Sequence, residues 1–434
     1  YETYERRFHK VHTLKEIYQD NEERNFIDPS LYSRYRVKAG LRNDNGTGVK
    51  VGLTKICDVI GYKIIHEKKY NIDGQLIYRG YPINYLVNKQ PSDKICGFEE
   101  TAYLLIFGTL PNADQLKIFK DYLLHFKMGP VDLQYETPNI LNALQIEVLK
   151  LYAKDPSADT DDLEERMMKG LKILASIPLF TFSYARNKIF KSYPYPDRSL
   201  AENILCMARG NDQYTFEEAK IMDTLLMVHA DHGGGNNSTF ANVVISSTGT
   251  DIYSCISAAI GSLKGPKHGG ANCKVTNMFK AIFHEVGFTT DKATLKKIAN
   301  RILDKDFFDH SGLIYGIGHA IYTKSDPRAL LIHEQCEALA KSKGQEEIYN
   351  CIHAFEKVAI EVMKERKGID VCANVDYYSG YVYSLLGIEA DLFTPLFAIS
   401  RTAGWVSHHL ENRQSNRKLI RPANVYVGEM EEIK

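Results

Sequence analysis

The 434-residue sequence predicts a mainly α-helical protein with a small N-terminal β region. Two observations carry this. Apolar side chains recur at helical spacing through most of the length, bracketed by capping and stop signals. Alternating, β-branched sequence is confined to roughly residues 50–83, in VGLTKICDVIGYKIIHEKKYNIDGQLIYRGYPI. At 44% hydrophobic and 25% charged, a chain of this length can bury a large core in one domain or, more naturally, two.

Taken in order, Asp73-Gly74 reads as the hairpin turn of the β region. Thr137-Pro138 reads as an N-cap with proline at N1. Ile140, Leu141, Leu144, Val148, Leu151 and Tyr152 then follow at helical spacing to an end near Asp155-Pro156. Leu163, Met167, Leu171 and Leu174 form another stripe, and Thr215 with Glu218 makes a capping box before Met222, Leu225 and Leu226. Further helices are predicted over 275–286, 295–303, 329–343 and 348–367, the last two closing at Gly344 and Gly368. No internal repeat, low-complexity linker or long heptad run is found.

Composition excludes several function classes. Lys+Arg and Asp+Glu are equal at 54 each, so no overall field recruits nucleic acid or an anionic membrane surface. An anionic ligand has to be met by locally placed arginines. The eight cysteines are scattered without a CxxC pair, which speaks for buried thiols in a reducing cytosol and against a disulfide framework or thiolate metal site. No apolar run can span a bilayer, and the opening YETYERRFHKVHTLKEIYQDNEERN mixes acids with bases, unlike a secretory or transit signal. A cytoplasmic protein is expected, although the missing initiator Met leaves room for a leader cut away upstream. Nucleotide signatures fail: Gly316 to Ile321 lacks the third glycine of the dinucleotide fingerprint, and no GxxxxGK[ST] loop exists. The glycines 233–235 follow a predicted helix, the wrong end for a phosphate cradle.

What remains is a set of glycine-flanked polar segments between helices: MVHADHGGGNNSTF (227–240), GPKHGGANCKV (265–275), IYGIGHAIYTKSDPRA (314–329), NVDYYSG (374–380), ISRTAGW (399–405) and RPANVYVG (421–428). Glycine beside a polar residue lets backbone and ligand approach closely, and loops held on a rigid scaffold concentrate function. Pro266 and Gly269-Gly270 present His268 at a helix junction with little steric cover. Each candidate also has a plain structural explanation. A turn histidine commonly bonds nearby backbone, the reading kept for His284, His310, His333 and His353. His229 and His232, at i and i+3, could share zinc, but no third ligand follows at recognisable spacing and no metal is expected. Asp376 could cap the helix after it, Arg401 could stack on Trp405, and Tyr377, Tyr378, Tyr381 and Tyr383 could be packing or a subunit contact. Asp326-Pro327 reads as N-cap and N1, which puts Arg328 in a first helical turn whose positive end favours anions.

The ordered motifs GPxHGGAN, GxGHxxYxxxDPRA, NVDxYSG and RTxGW resemble the citrate synthase family, most nearly citrate (Si)-synthase, as do YRGYPI at 78–83, FGTLP at 107–111 and RP at 421–422. The likeness covers most of the chain and is strongest between 227 and 405. It implies a citrate synthase-like two-domain helical fold: a large domain of 1–273 plus 381–434, and a small domain of 274–380 closing over the active site. It implies condensation of acetyl-CoA with oxaloacetate and hydrolysis of citryl-CoA, with acetyl-CoA a substrate and no cofactor.

By the same resemblance Asp376 is the base, His268 hydrogen-bonds the thioester oxygen and His319 polarises the oxaloacetate carbonyl. The oxaloacetate carboxylates fall to His232, Arg328, Arg401 and, from the second subunit of a homodimer, Arg421. Main-chain groups of Tyr315, Gly316, Ile317 and Gly318 hold CoA, with Lys324 as a point charge. Ala320 and Thr323 stand where many relatives carry arginine, and HADHGGGNNSTF has glycines where many bacterial members have HADHEQN. A 2-methylcitrate synthase using propionyl-CoA is the alternative within enzymes. A catalytically silent helical scaffold or sensor is the alternative from another class, against which the intact Asp376, His268 and His319 speak.

Overall fold

Helical periodicity in the sequence is met by helices through most of the chain. A computed structural model describes residues 13–133, 136–415 and 418–433, and among these it holds seventeen α-helices and one three-stranded antiparallel sheet. The chain divides into two units. Residues 13–50, with α1 (Leu14–Asp20) and α2 (Ser30–Arg34), make one unit with residues 421–433; residues 51–420 make the other, which carries the remaining elements.

The sheet runs β1 (Cys57–Ile65), β2 (Lys68–Tyr78), β3 (Tyr81–Pro82), in that spatial order. Its main turn is not at Asp73-Gly74, as the sequence predicts, but at His66-Glu67. Both residues take positive φ, 45° and 64°, the pair that a two-residue turn matched to strand twist requires. Asp73 and Gly74 lie inside β2, beside a register shift between Ile60 and Tyr62. Glycine there serves close approach: a Cβ on Gly74 would collide with the Ser325 backbone oxygen, and one on Gly61 with that of Ile321. Gly74 N donates to Ser325 Oγ at 3.0 Å. The hairpin is thus a seat for the segment 321–325.

α3 (Ile83–Asn88), α4 (Gly97–Phe107) and α5 (Ala113–Leu124) follow the sheet. α6 (Ile140–Ala153) starts later than Thr137-Pro138 implies, because Asn139 accepts from Leu141 N at 2.9 Å and takes the capping role, while Thr137 bonds Asn139 itself. In α7 (Leu163–Arg186) the predicted stripe buries Leu171 and Leu174, but Leu163 faces solvent. After α8 (Leu200–Arg209), α9 (Phe216–His229) opens with the predicted capping box of Thr215 and Glu218. Then come α10 (Asn237–Ser246), α11 (Ile252–Lys264), α12 (Ala271–Val286), α13 (Lys292–Leu303), α14 (Pro327–Ser342), α15 (Glu346–Lys367), α16 (Val375–Leu385) and α17 (Phe393–Gln414). Gly344 and Gly368 follow α14 and α15 with φ of 68° and 65°, as predicted.

α17 is the spine of the larger unit. It packs on α4, α7, α9, α10 and α11, and its residues from Phe393 to His409 are all buried. A helix covered on every side gives polar side chains no water, so Arg401, His408 and His409 have to be paired or used. α12 to α16 pack chiefly on one another, with α14 also touching α3, α9 and β2. No described helix is long and apolar enough to cross a membrane.

Candidate active site

α9 ends at His229, and the chain turns into α10 through Gly233 at φ 84°. His229 donates from Nδ1 to Leu225 O at 2.8 Å, which leaves Nε2 buried without a partner among the described residues. Two residues on, Asp231 accepts from His408 Nε2 of α17 at 2.9 Å. The glycine of RTAGW explains how the two backbones come so close. Gly404 N bonds Ala230 O at 3.1 Å, and a Cβ on Gly404 would collide with Asp231.

Arg401, fully buried on α17, stacks at 4.7 Å over Phe397 one turn earlier, not on Trp405. Its Nε donates to His229 O at 2.7 Å and Nη1 to Asn236 Oδ1 at 3.1 Å, while Nη2 is buried without a hydrogen-bond partner among the described residues. Burial pulls its pKa down, with Asp231 opposing. A buried guanidinium with donors to spare has the chemistry to pair with an anion.

His268 sits in the turn between α11 and α12, its Nε2 2.9 Å from Ser238 Oγ. Ser238 also accepts from Trp405 Nε1 at 3.1 Å and lies 3.0 Å from Asn236 Oδ1. The flanking Gly269 is needed for packing as much as for access, since its Cβ would stand 2.7 Å from Leu263 O. Burial, then the Arg401 charge, pushes His268 down to about 3, so the ring is neutral.

The loop ahead of α14 supplies three further groups. His319 Nδ1 accepts from Ile321 N at 3.0 Å and Tyr322 N at 3.1 Å, which fixes its proton on Nε2. His319 and His232 lie with ring centroids 5.3 Å apart, and burial, then Arg328, holds His232 well below the ordinary histidine range. Asp326 caps α14 through Arg328 N as predicted, and it also grips the Arg328 side chain at 3.0 Å on Nε and 2.8 Å on Nη2. Burial works against the Arg328 charge, but Asp326 outweighs it and raises the pKa. Asp326 Oδ2 also accepts from Val375 N at 3.1 Å, tying the DPR and NVD motifs together.

Asp376 does not cap α16. Asn374 does, accepting from Asp376 N at 3.0 Å, and the Asp376 carboxylate is left with Oδ1 buried and without a hydrogen-bond partner among the described residues. Burial raises it to about 6, opposed by Arg328 and Arg401. Tyr377, Tyr378 and Tyr383 are internal packing, fully covered within the chain.

Of the residues expected to form the site, His232, His268, His319, Arg328, Arg401 and Asp376 therefore converge. The Tyr315–Gly318 loop is stitched to the segment ahead of Asp376: Asn374 N bonds Gly316 O at 2.8 Å, and Gly318 N bonds Cys372 O at 2.8 Å. Lys324 is exposed and makes no described contact with these groups, and Arg421 belongs to the other unit. Among the described residues no three His, Cys, Asp or Glu side chains form a metal-holding group. Sequence reasoning weighed His229 only as a zinc partner of His232 and gave Asp326 a cap's role alone. It had no signal at all for Ser238 under His268.

The chain matches the family model "Citrate synthase, C-terminal domain" over residues 43–423. It is 37% identical to citrate synthase of Haloferax volcanii, spanning 85% of this chain and 94% of that protein. It is 33% identical to 2-methylcitrate synthase 1 of Corynebacterium glutamicum, spanning 81% and 89%. Among solved structures it superposes on Thermoplasma acidophilum citrate synthase in ternary complex with carboxymethyl coenzyme A and oxaloacetate, at TM-score 0.73 and 26% identity, covering 89% of this chain and 96% of that one.

Proposed function

The chain belongs to the citrate synthase family of acyl-transferring condensing enzymes, and from that membership we propose that it joins acetyl-CoA to oxaloacetate and hydrolyses citryl-CoA to citrate and CoA. The observation that carries this reading is the unpaired Asp376 carboxylate, raised to about 6, close to two buried guanidinium groups and neutral imidazoles. Removing a weakly acidic methyl proton needs a carboxylate base, a neutral donor at the thioester oxygen and a donor at the ketone oxygen.

In the proposed reaction Asp376 takes the methyl proton while His268 hydrogen-bonds the developing enolate oxygen. The Ser238 hydroxyl has two acceptors in reach, Asn236 and His268, and Asn236 Oδ1 is already served by Arg401. Donation to His268 Nε2 satisfies one more group and puts the imidazole proton on Nδ1, where the thioester oxygen can use it. His319 offers Nε2–H to the oxaloacetate ketone, and the nucleophilic carbon attacks the carbonyl so polarised. Arg328, Arg401, His232 and Arg421 of the partner subunit hold the carboxylates, guanidinium forks suiting them better than ammonium groups. The backbone of Tyr315 to Gly318 takes CoA, with Lys324 near its phosphates. Closure of residues 274–380 over the remainder excludes water during condensation. Acetyl-CoA is a substrate, and this chemistry calls for no resident cofactor. Eight unpaired cysteines favour a cytoplasmic setting.

Relatives named citrate synthase at 35–37% identity support acetyl-CoA, and relatives named 2-methylcitrate synthase at 31–33% give the second reading, propionyl-CoA. One methylene is worth only about 1–3 kcal/mol of discrimination. The test is CoA-thiol release from each acyl-CoA with and without oxaloacetate. Oxaloacetate-dependent release favouring acetyl-CoA is expected; a propionyl preference changes the substrate, and no release from folded protein sinks the enzyme.

A further inference from the structure

We propose that Tyr322 is a positioning residue whose buried hydroxyl decides which nitrogen of His232 carries the proton, so that His232 and His319 meet the substrate as two neutral donors. The role in substrate binding rests on the oxaloacetate reading above; the proton assignment does not.

Tyr322 lies in the loop ahead of α14 and is 1% exposed. Its hydroxyl is 3.0 Å from His232 Nε2, its only hydrogen-bond partner among the described residues. A buried hydroxyl has one proton and gives it to an available acceptor, so His232 Nε2 accepts and the imidazole keeps its proton on Nδ1. The same residue fixes the other histidine from its backbone. Tyr322 N donates to His319 Nδ1 at 3.1 Å, and the phenol ring stacks on the His319 ring at 4.5 Å and 28°. One residue, through its hydroxyl and its backbone N–H, thus reaches two imidazoles whose rings are 5.3 Å apart.

The ring is held from behind by the hairpin. A Cβ on Gly74 would stand 2.7 Å from Tyr322 Cδ1, and one on Gly61 would stand 3.1 Å from Tyr322 Cα, so both strands give up a side chain to seat it. The Arg328 guanidinium lies 5.7 Å from the ring centroid. With Arg328 and Arg401 disfavouring charge on His232, the tautomer becomes the variable that matters: the wrong one turns a lone pair towards a carboxylate instead of an N–H.

Tyr322→Phe keeps the ring, its seat and its stack and removes the hydroxyl alone. With ¹⁵N-labelled histidine, and His232→Gln to assign the signal, NMR of the intact protein should show His232 as the Nδ1–H tautomer and a shift towards Nε2–H in Tyr322→Phe. KM for oxaloacetate should rise about fivefold with kcat and the KM for acetyl-CoA little changed. Tyr322→Leu, which also removes the stack on His319, should lower kcat as well. An unchanged His232 tautomer in Tyr322→Phe overturns the proton assignment, and an unchanged oxaloacetate KM overturns the role in substrate binding. If the wild-type protein releases no CoA with oxaloacetate, the functional reading fails, and the NMR comparison still decides the role of Tyr322.

Discussion

Asp376 and Arg401 are buried ionisable groups whose burial works against them, in opposite directions of pH. Burial raises Asp376 to about 6, so a base needed as carboxylate loses activity as pH falls through about 6. The pH profile of kcat/KM checks this. Asp376→Asn should cut kcat by about a hundredfold or more. The stability sign is the reverse. A carboxyl whose folded pKa lies above its unfolded value opposes folding, by an amount absent below the ordinary carboxylate range and complete above about 6. Asp376→Asn should therefore raise the melting temperature more at pH 8 than at pH 5 even as it lowers activity. Arg401 already spends Nε and Nη1 on His229 and Asn236, leaving Nη2 for a ligand. Lysine cannot span all three, so Arg401→Lys should raise the oxaloacetate KM by about tenfold or more, read in steady-state kinetics.

At the scale of elements, the site depends on where two backbones can touch. In an exposed helix a Gly→Ala change stabilises by about 1 kcal/mol. At Gly404 in α17 the new methyl would collide with Asp231, so Gly404→Ala should lower the melting temperature, measured by thermal unfolding. The sequence offered that glycine as part of a motif without its reason. Helix α14 shows the complementary case: Asp326-Pro327 was legible as cap and first residue because capping is local, within one turn. The hairpin turn was misread at Asp73-Gly74 because glycine there answers to Ser325, 251 residues away, and no local pattern records that contact.

For the whole molecule, the proposed homodimer with Arg421 of the partner subunit in each site makes a quantitative prediction. Asp376→Asn and Arg421→Ala, each inactive alone, should recover roughly a quarter of wild-type activity when unfolded and refolded together, since half the random dimers are mixed and each has one intact site. Recovery near zero would remove Arg421 from the site. Proposed closure of 274–380 predicts a smaller radius of gyration on adding oxaloacetate, measured by solution X-ray scattering.

The sequence by itself determined the helical class and most helix starts and stops, because periodicity and capping are properties of neighbouring residues; six residues singled out through the motifs' family resemblance are ones the fold brings together. Tertiary structure alone decided the tuning. That Ser238 lies under His268, that Tyr322 bonds His232 and that Asp326 ties to Val375 follow from contacts between distant segments. Burial then sets the charge on each group, and burial is a property of the packed whole rather than of any stretch of chain.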